Sequence, residues 1–290
     1  MEEIDHTHIV GCGDIGRRVG RLCLDRGWTV SANVRSANNQ RAAREVGIDC
    51  ACADLEQDAS TLFNKGGEQL NSVFYFAPPP ANGLIDTRLT ACLKALNTNV
   101  PKKVVLISTT GVYGDCQGNW VNETAPLLAT TARALRRIDA ETQLKTWATK
   151  HSVDYIILRV PGIYAKDRLP LQRIKSGEPI VRLNEAPWTN RIHADDLAQA
   201  CLLAMSSTVR NEILNISDDH PSSMTDYFNA VADYAALDRP PQLPLDVALK
   251  SLSAGMQSYL QESRRIDNAK MKSVLGVQLK YPDLQSGLAA

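Results

Sequence analysis

The stretch VVLISTTGVYGD, residues 104 to 115, sets four hydroxyl side chains, Ser108, Thr109, Thr110 and Tyr113, around one glycine. Its Val-Val-Leu-Ile run reads as a strand covered on both faces. In a parallel sheet the carboxyl end of such a strand opens onto the crevice where ligands bind. The hydroxyls therefore stand where chemistry is expected, although Ser, Thr and Gly in this order also suit a plain turn. A second constellation, HIVGCGDIGRRVG, holds Gly11, Gly13 and Gly16 in G-x-G-x-x-G spacing, directly after a strand and at the opening of a helix. Gly11 allows a tight turn, Gly13 lets the backbone approach a pyrophosphate, and Gly16 permits close helix packing. The amides of Asp14 and Ile15 at the helix start then face the phosphates. With strand, helix and N-terminal position all in place, the pattern predicts dinucleotide binding rather than a bare turn.

The second strand qualifies which dinucleotide. An NAD site ends this strand with Asp or Glu to accept bonds from the ribose 2′-hydroxyl. Here the position falls at Asn33 and Val34, and Arg35 follows. A carboxylate repels a 2′-phosphate, whereas a guanidinium forms a charge-assisted pair with it. NADP is favoured and NAD stays possible; the alternative for Arg35 is a solvated charge at a strand end.

These residues need a scaffold, and the chain supplies one by alternation. Short apolar runs recur at 8–10, 28–34, 48–55, 72–77, 104–108, 154–160 and 212–217. Between the first two, Ile15, Val19, Leu22 and Cys23 recur at helical spacing and Gly27 stops the helix. Repeated βαβ crossovers predict an α/β fold, a doubly wound parallel sheet of the Rossmann type. After Tyr164 the rhythm breaks into segments rich in Pro, Arg and Lys. The expected organisation is a dinucleotide-binding domain over 1–165, rejoined by about 191–217, with 166–190 and 218–290 forming a smaller, C-terminal substrate lobe.

Composition limits the partners. Lys plus Arg equals Asp plus Glu at 32 each in 290 residues, with no long run of one sign. A nucleic-acid groove or an anionic membrane surface is therefore not expected, and a small-molecule partner is. The acidic start MEEID reaches the glycine loop too soon for a signal peptide, and no apolar run approaches a membrane span. Seven scattered cysteines include the pair Cys50 and Cys52, a C-x-C without a matching second pair, so no metal site is expected. Free thiols fit a reducing cytoplasm. His6, His8 and His193 are read as structural.

Taken together, the glycine loop, Asp54-Leu55, STTGVYG, LRVPGIYA, RIHADDLAQA and LNISDDHP make nearly the whole chain resemble the extended and atypical short-chain dehydrogenase/reductase superfamily, relatives of nucleotide-sugar epimerases and dehydratases. The resemblance implies an NAD(P)-dependent reductase, epimerase or dehydratase. Asp54 and Leu55 would lie at the adenine, and Ala77, Pro78 and Pro79 would run beside the cofactor. Thr109 matches the hydroxyl that holds the substrate oxygen near the nicotinamide, with Ser108 as its neighbour.

Where that family carries Y-x-x-x-K, alignment on Glu123 to Pro126 puts Arg133 and Arg137, followed by Glu141. Both arginines share a helix face, but a guanidinium stays protonated and exchanges no proton at neutral pH. Arg137 could still hold the ribose hydroxyls; Arg133 cannot replace the Tyr. Tyr113 is then the candidate displaced acid, and Tyr164 a packing aromatic. The other readings are an NADP-binding module acting as a sensor or regulator, and a vestigial site. The lobe loop offers Arg168, Arg173, Trp188 and Arg191 to the substrate, which the arginines would make anionic; Arg133 alternatively faces solvent or pairs with Glu123. The resemblance also implies a homodimer.

Overall fold

In the computed structural model the described residues are 6–59, 62–63, 70–252 and 254–290, so the acidic start at 1–5 lies outside them. All seven apolar runs become strands: β1 (His6–Val10), β2 (Thr29–Val34), β3 (Asp49–Cys52), β4 (Ser72–Tyr75), β5 (Lys103–Thr109), β6 (Asp154–Val160) and β7 (Glu212–Asn215). They form one parallel sheet in the order β7-β6-β5-β4-β1-β2-β3. The chain runs outward from β1 to β3, then returns past β1 and continues outward from β4. The strand order thus reverses between β1 and β4, and a crevice opens beyond their carboxyl ends.

Five long helices cover the sheet: α1 (Asp14–Leu24), α2 (Ala37–Glu45), α3 (Thr87–Leu96), α4 (Ala132–His151) and α5 (Ala194–Ser206). Strand alternation assigns them to two faces. Ile9, Phe74, Val105, Ile156 and Leu158 meet Val19 and Cys23 of α1, Ala43 of α2, and Leu197 and Cys201 of α5. Val10, Tyr75, Leu106 and Ile157 point the other way, onto Leu89 and Leu93 of α3 and Leu144 and Trp147 of α4. Burying both faces is why these strands read as continuous apolar runs rather than alternating ones.

Separate apolar clusters lie off the sheet. Ile174 and Ile180 pack with Phe228, Val231 and Leu288, and Val181 packs with Ala248 and Leu260. Short strand pairs knit these segments together: Ile180–Val181 with Gln242–Leu243, and Trp188–Thr189 with Ser222–Ser223. One expected boundary is displaced. Met271, Leu275 and Val277, placed in the lobe by the range 218–290, belong to the core of the sheet itself, because the helix Ala269–Leu275 turns its apolar side onto α5 and β7. No helix among the described residues is long and apolar enough to cross a membrane, and all seven cysteines are free.

Candidate active site

The glycine loop is built as its three glycines require. Gly11 has φ +85°, and a Cβ there would stand 2.6 Å from the Ala77 amide nitrogen. Both the left-handed backbone and the close approach of the loop after β4 demand glycine. The turn is pinned to β2, since the amides of Gly11 and Cys12 both donate to the Asn33 carbonyl at 3.1 Å. A Cβ on Gly16 would press on Ile9 and Cys12 at 3.2 and 3.3 Å, so this residue lets α1 lie close on β1. A Cβ on Gly13 would meet nothing within 4 Å. Gly13 is the N-cap of α1 and supplies no side-chain cap, which leaves the first amides of Asp14 and Ile15 available to an anion.

Beside the loop lies a cavity of about 300 Å³ lined by Gly11, Gly13, Asn33, Val34, Arg35, Ser36, Asn39, Leu55, Phe76, Ala77, Pro78 and Arg88. Arg35 is exposed at its rim and, among the described residues, has neither ion pair nor hydrogen bond. Ser36 caps α2 by accepting from the Asn39 amide. Arg88, on α3, reaches the same cavity, where it donates to the carbonyls of Pro78 and Pro79 at 3.1 and 3.2 Å and pairs with Glu56 at 3.4 Å. Asp54 does not line the cavity; its carboxylate caps the short helix Leu55–Asp58 through the Glu56 amide at 3.0 Å. Ser36, Asn39 and Arg88 went unpredicted. The first two follow Arg35 directly, and only the fold brings Arg88 to their side.

The hydroxyl cluster separates into two roles. Thr109, at the end of β5, is partly exposed, and its Oγ1 accepts from the Gly111 amide at 3.2 Å. Ser108 and Tyr113 face inward instead. Ser108 Oγ donates to Glu141 Oε1 at 2.6 Å, and Glu141 forms a buried ion pair with Arg159 at 2.7 Å. The Tyr113 hydroxyl, in a residue 0% exposed, donates to Asn215 Oδ1 at 2.7 Å and accepts from Arg159 at 3.0 Å. Burial pushes its pKa up, against the pull of Arg159. Both hydroxyls, expected at the substrate, thus take part in a buried network at the carboxyl ends of β5, β6 and β7. Tyr164 is buried as well, donating to the Asp283 carbonyl at 3.1 Å.

The two arginines of α4 also diverge. Arg137 lies against the loop after β4, where its one hydrogen bond among the described residues is a long 3.5 Å contact to the Ala77 carbonyl. Protein atoms crowd its guanidinium, and this burial lowers its pKa despite the nearby Asp86. Arg133 neither faces open solvent nor pairs with Glu123. It donates to Ser258 Oγ at 2.9 Å and stacks on the Tyr259 ring at 3.8 Å, so it ties α4 to the lobe.

Of the lobe candidates, Arg191 is 7% exposed and bonded to Ser222 Oγ, its pKa lowered to about 10 by burial; these contacts brace the lobe. Trp188 is 42% exposed, but with Trp120 it flanks Arg265, 5.3 Å from each ring. Arg173 is held by Glu178 and stacked over Phe228. Arg168 alone reaches the glycine loop, pairing with Asp14 at 2.6 Å. His193, read as structural, caps α5 by accepting from the Asp195 amide.

A family model described as the NAD dependent epimerase/dehydratase family matches residues 9–217. Protein YeeZ of Escherichia coli K12 is 26% identical over 288 residues, covering 95% of this chain and 96% of that protein. A functionally unknown conserved protein from Silicibacter pomeroyi superposes with a TM-score of 0.83 at 28% identity, over 99% of this chain and 97% of that one. A UDP-glucose 4-epimerase from Thermotoga maritima, solved with UDP-glucose, gives a TM-score of 0.81 at 20% identity over 98% and 96% of the two chains, a likeness of fold. The matched span of the family model runs from β1 and its glycine loop through the hydroxyl turn and both α4 arginines to the residues just past β7. On this ground the chain belongs to the NAD dependent epimerase/dehydratase family.

Proposed function

We propose that the protein binds NADP in the cleft between the glycine loop and the loop after β4, and performs hydride chemistry on a small carbonyl or nucleotide-sugar type substrate. The observation that carries the cofactor reading is the cavity beside the glycine loop, with Arg35, exposed and unpaired among the described residues, at its rim and no carboxylate at the end of β2. The residues fit the group. Gly11, Gly13, Gly16 and the amides of Asp14 and Ile15 would cradle the pyrophosphate, Leu55, Ala77 and Pro78 would flank the adenosine, and Arg35 would take the 2′-phosphate. When bound, the nicotinamide would supply or accept the hydride.

On this reading Thr109 holds the substrate oxygen. Its Oγ1 already accepts from Gly111, which leaves its own proton free to donate to a carbonyl. Arg137 would orient the ribose hydroxyls and, as a permanent cation, favour an anionic substrate. Arg133 exchanges no proton and instead closes the lobe onto α4. Titration with NADPH and NADH tests the cofactor, and mixing the NADPH-loaded protein with carbonyl compounds and nucleotide sugars tests turnover by nicotinamide absorbance. Equal affinity for the two cofactors would sink the NADP assignment.

A second reading, an NADP-binding sensor or regulator without turnover, is favoured by one feature: the phenols of Tyr113 and Tyr164 are both buried and bonded within the protein. Tight NADPH binding with no oxidation across the substrate panel would select it.

A further inference from the structure

The short turn Lys166–Arg168 is tied to the start of α1 by a compact ion cluster. Arg168 donates to Asp14 Oδ2 at 2.6 Å, and Arg18 donates to Asp14 Oδ1 at 3.0 Å. Arg18 also reaches Asp195 at 2.6 Å and Asp167 at 3.2 Å. Burial works to raise the Asp14 carboxyl, but the bonds from Arg168 and Arg18 outweigh it and hold the group below its ordinary value. Arg18 is braced by three carboxylates, whereas Arg168 has Asp14 as its ion-pair partner and keeps 37% of its side chain exposed.

Asp14 is the first residue of α1, the helix whose uncapped amides open on the glycine loop. A carboxylate in that position sits in the field that suits a phosphate. It also carries the charge and planar pair of oxygens that a guanidinium recognises in either group. Within the cluster the carboxylate nearest the uncapped amides is that of Asp14, the first residue of α1, so a diphosphate arriving in front of α1 is repelled by Asp14 itself. That repulsion is relieved if Arg168 turns from the carboxylate to the diphosphate, and a half-exposed pair yields at small cost.

We propose that Arg168 is a ligand of the dinucleotide's pyrophosphate, contributed by the lobe, and that Asp14 is its internal stand-in, holding the guanidinium at the mouth of the cleft until the cofactor takes it over. The inference rests on the reading of the cleft as the NADP site. It gives the two partners of one ion pair opposite effects. Arg168→Gln removes a ligand and weakens NADPH, whereas Asp14→Asn removes a competing anion and tightens it, each on the order of three- to tenfold. A bond serving only to brace the lobe has no such asymmetry, because losing either partner breaks the same brace.

The experiment is a fluorescence titration of NADPH into wild type, Arg168→Gln and Asp14→Asn, with adenosine 2′-monophosphate, which lacks the pyrophosphate, as the control ligand. Expected are the opposite shifts for NADPH and unchanged affinity for the monophosphate in both variants. Unchanged NADPH affinity in Arg168→Gln, or weakening in Asp14→Asn, overturns the proposal. If the wild type binds NADPH while both variants weaken it equally, the brace is right and the cofactor reading survives. If the wild type binds no dinucleotide, the cofactor reading falls and this one with it. Urea midpoints check that the variants fold; should Arg168→Gln fail, Arg168→Lys, which keeps the charge and loses the fork, is expected to show a smaller weakening of the same sign.

Discussion

Arg35 and Tyr113 are both polar residues at the carboxyl end of the sheet, yet their surroundings set opposite expectations. Arg35 stands exposed with its charge unpaired among the described residues, so Arg35→Ala should cost NADPH about tenfold in affinity, the worth of one charge-assisted pair, and leave NADH unchanged. Paired titrations read this directly; a similar loss for both cofactors would show that the residue does not see the 2′-phosphate. Tyr113 lies under the surface between Asn215 and Arg159. Tyr113→Phe leaves those buried groups each short of a partner, a penalty of about 1–3 kcal/mol. Chemical denaturation should report that loss while the NADPH affinity stays at the wild-type value. A wild-type midpoint in Tyr113→Phe would mean the hydroxyl does not hold the network together.

At the scale of elements, the turn between β1 and α1 is where local sequence and neighbouring backbone act together. Gly11 and Gly13 are two residues apart, but their substitution should separate folding from binding. Gly11→Ala forces a left-handed residue and drives a methyl into the backbone of Ala77; the conformational part alone costs about 1–2 kcal/mol, and the collision adds to it. The expected readout is a lowered thermal midpoint together with weaker NADPH binding. Gly13→Ala points its methyl into open space, so the midpoint should hold while NADPH binding weakens, because the methyl occupies the approach of the pyrophosphate. If both variants bind NADPH as the wild type does, the loop is not a phosphate cradle. Gly11 was readable from spacing, yet the partner that makes it indispensable, Ala77, arrives from β4 and depends on the strand order.

For the whole molecule, the junction of sheet and lobe carries a titrating group that the fold keeps out of water. Asp218 is 3% exposed, and burial raises its pKa to about 7, opposed by Arg191 and the His220 amide and assisted by Asp219 and Asp283. Because its folded value lies above its unfolded one, the folded state binds the proton more tightly. The associated stability is full below about pH 4 and is lost as pH rises towards 7. Asp218→Asn removes that dependence, so the variant should gain on wild type as pH rises through this window, measured by urea midpoints at pH 5 and pH 8. A constant gap between the two proteins would place the group's titration elsewhere.

The sequence by itself determined the doubly wound sheet and the glycine loop, since seven apolar runs and a G-x-G-x-x-G depend on spacing within a few residues and on burial of both faces. It also determined that positions 133 and 137 are guanidiniums and exchange no proton. Only the tertiary structure decided which hydroxyls face the crevice. The partners of Ser108 and Tyr113 lie 33, 46 and 102 residues away, at Glu141, Arg159 and Asn215, and no local pattern encodes a bond made across that distance. The same holds for Arg133 and Arg168, whose roles rest on the lobe segment and helix that folding sets against them. Side chains of one type and similar spacing are thus divided between core and cleft by burial and long-range hydrogen bonding, terms that exist only once the chain has closed on itself.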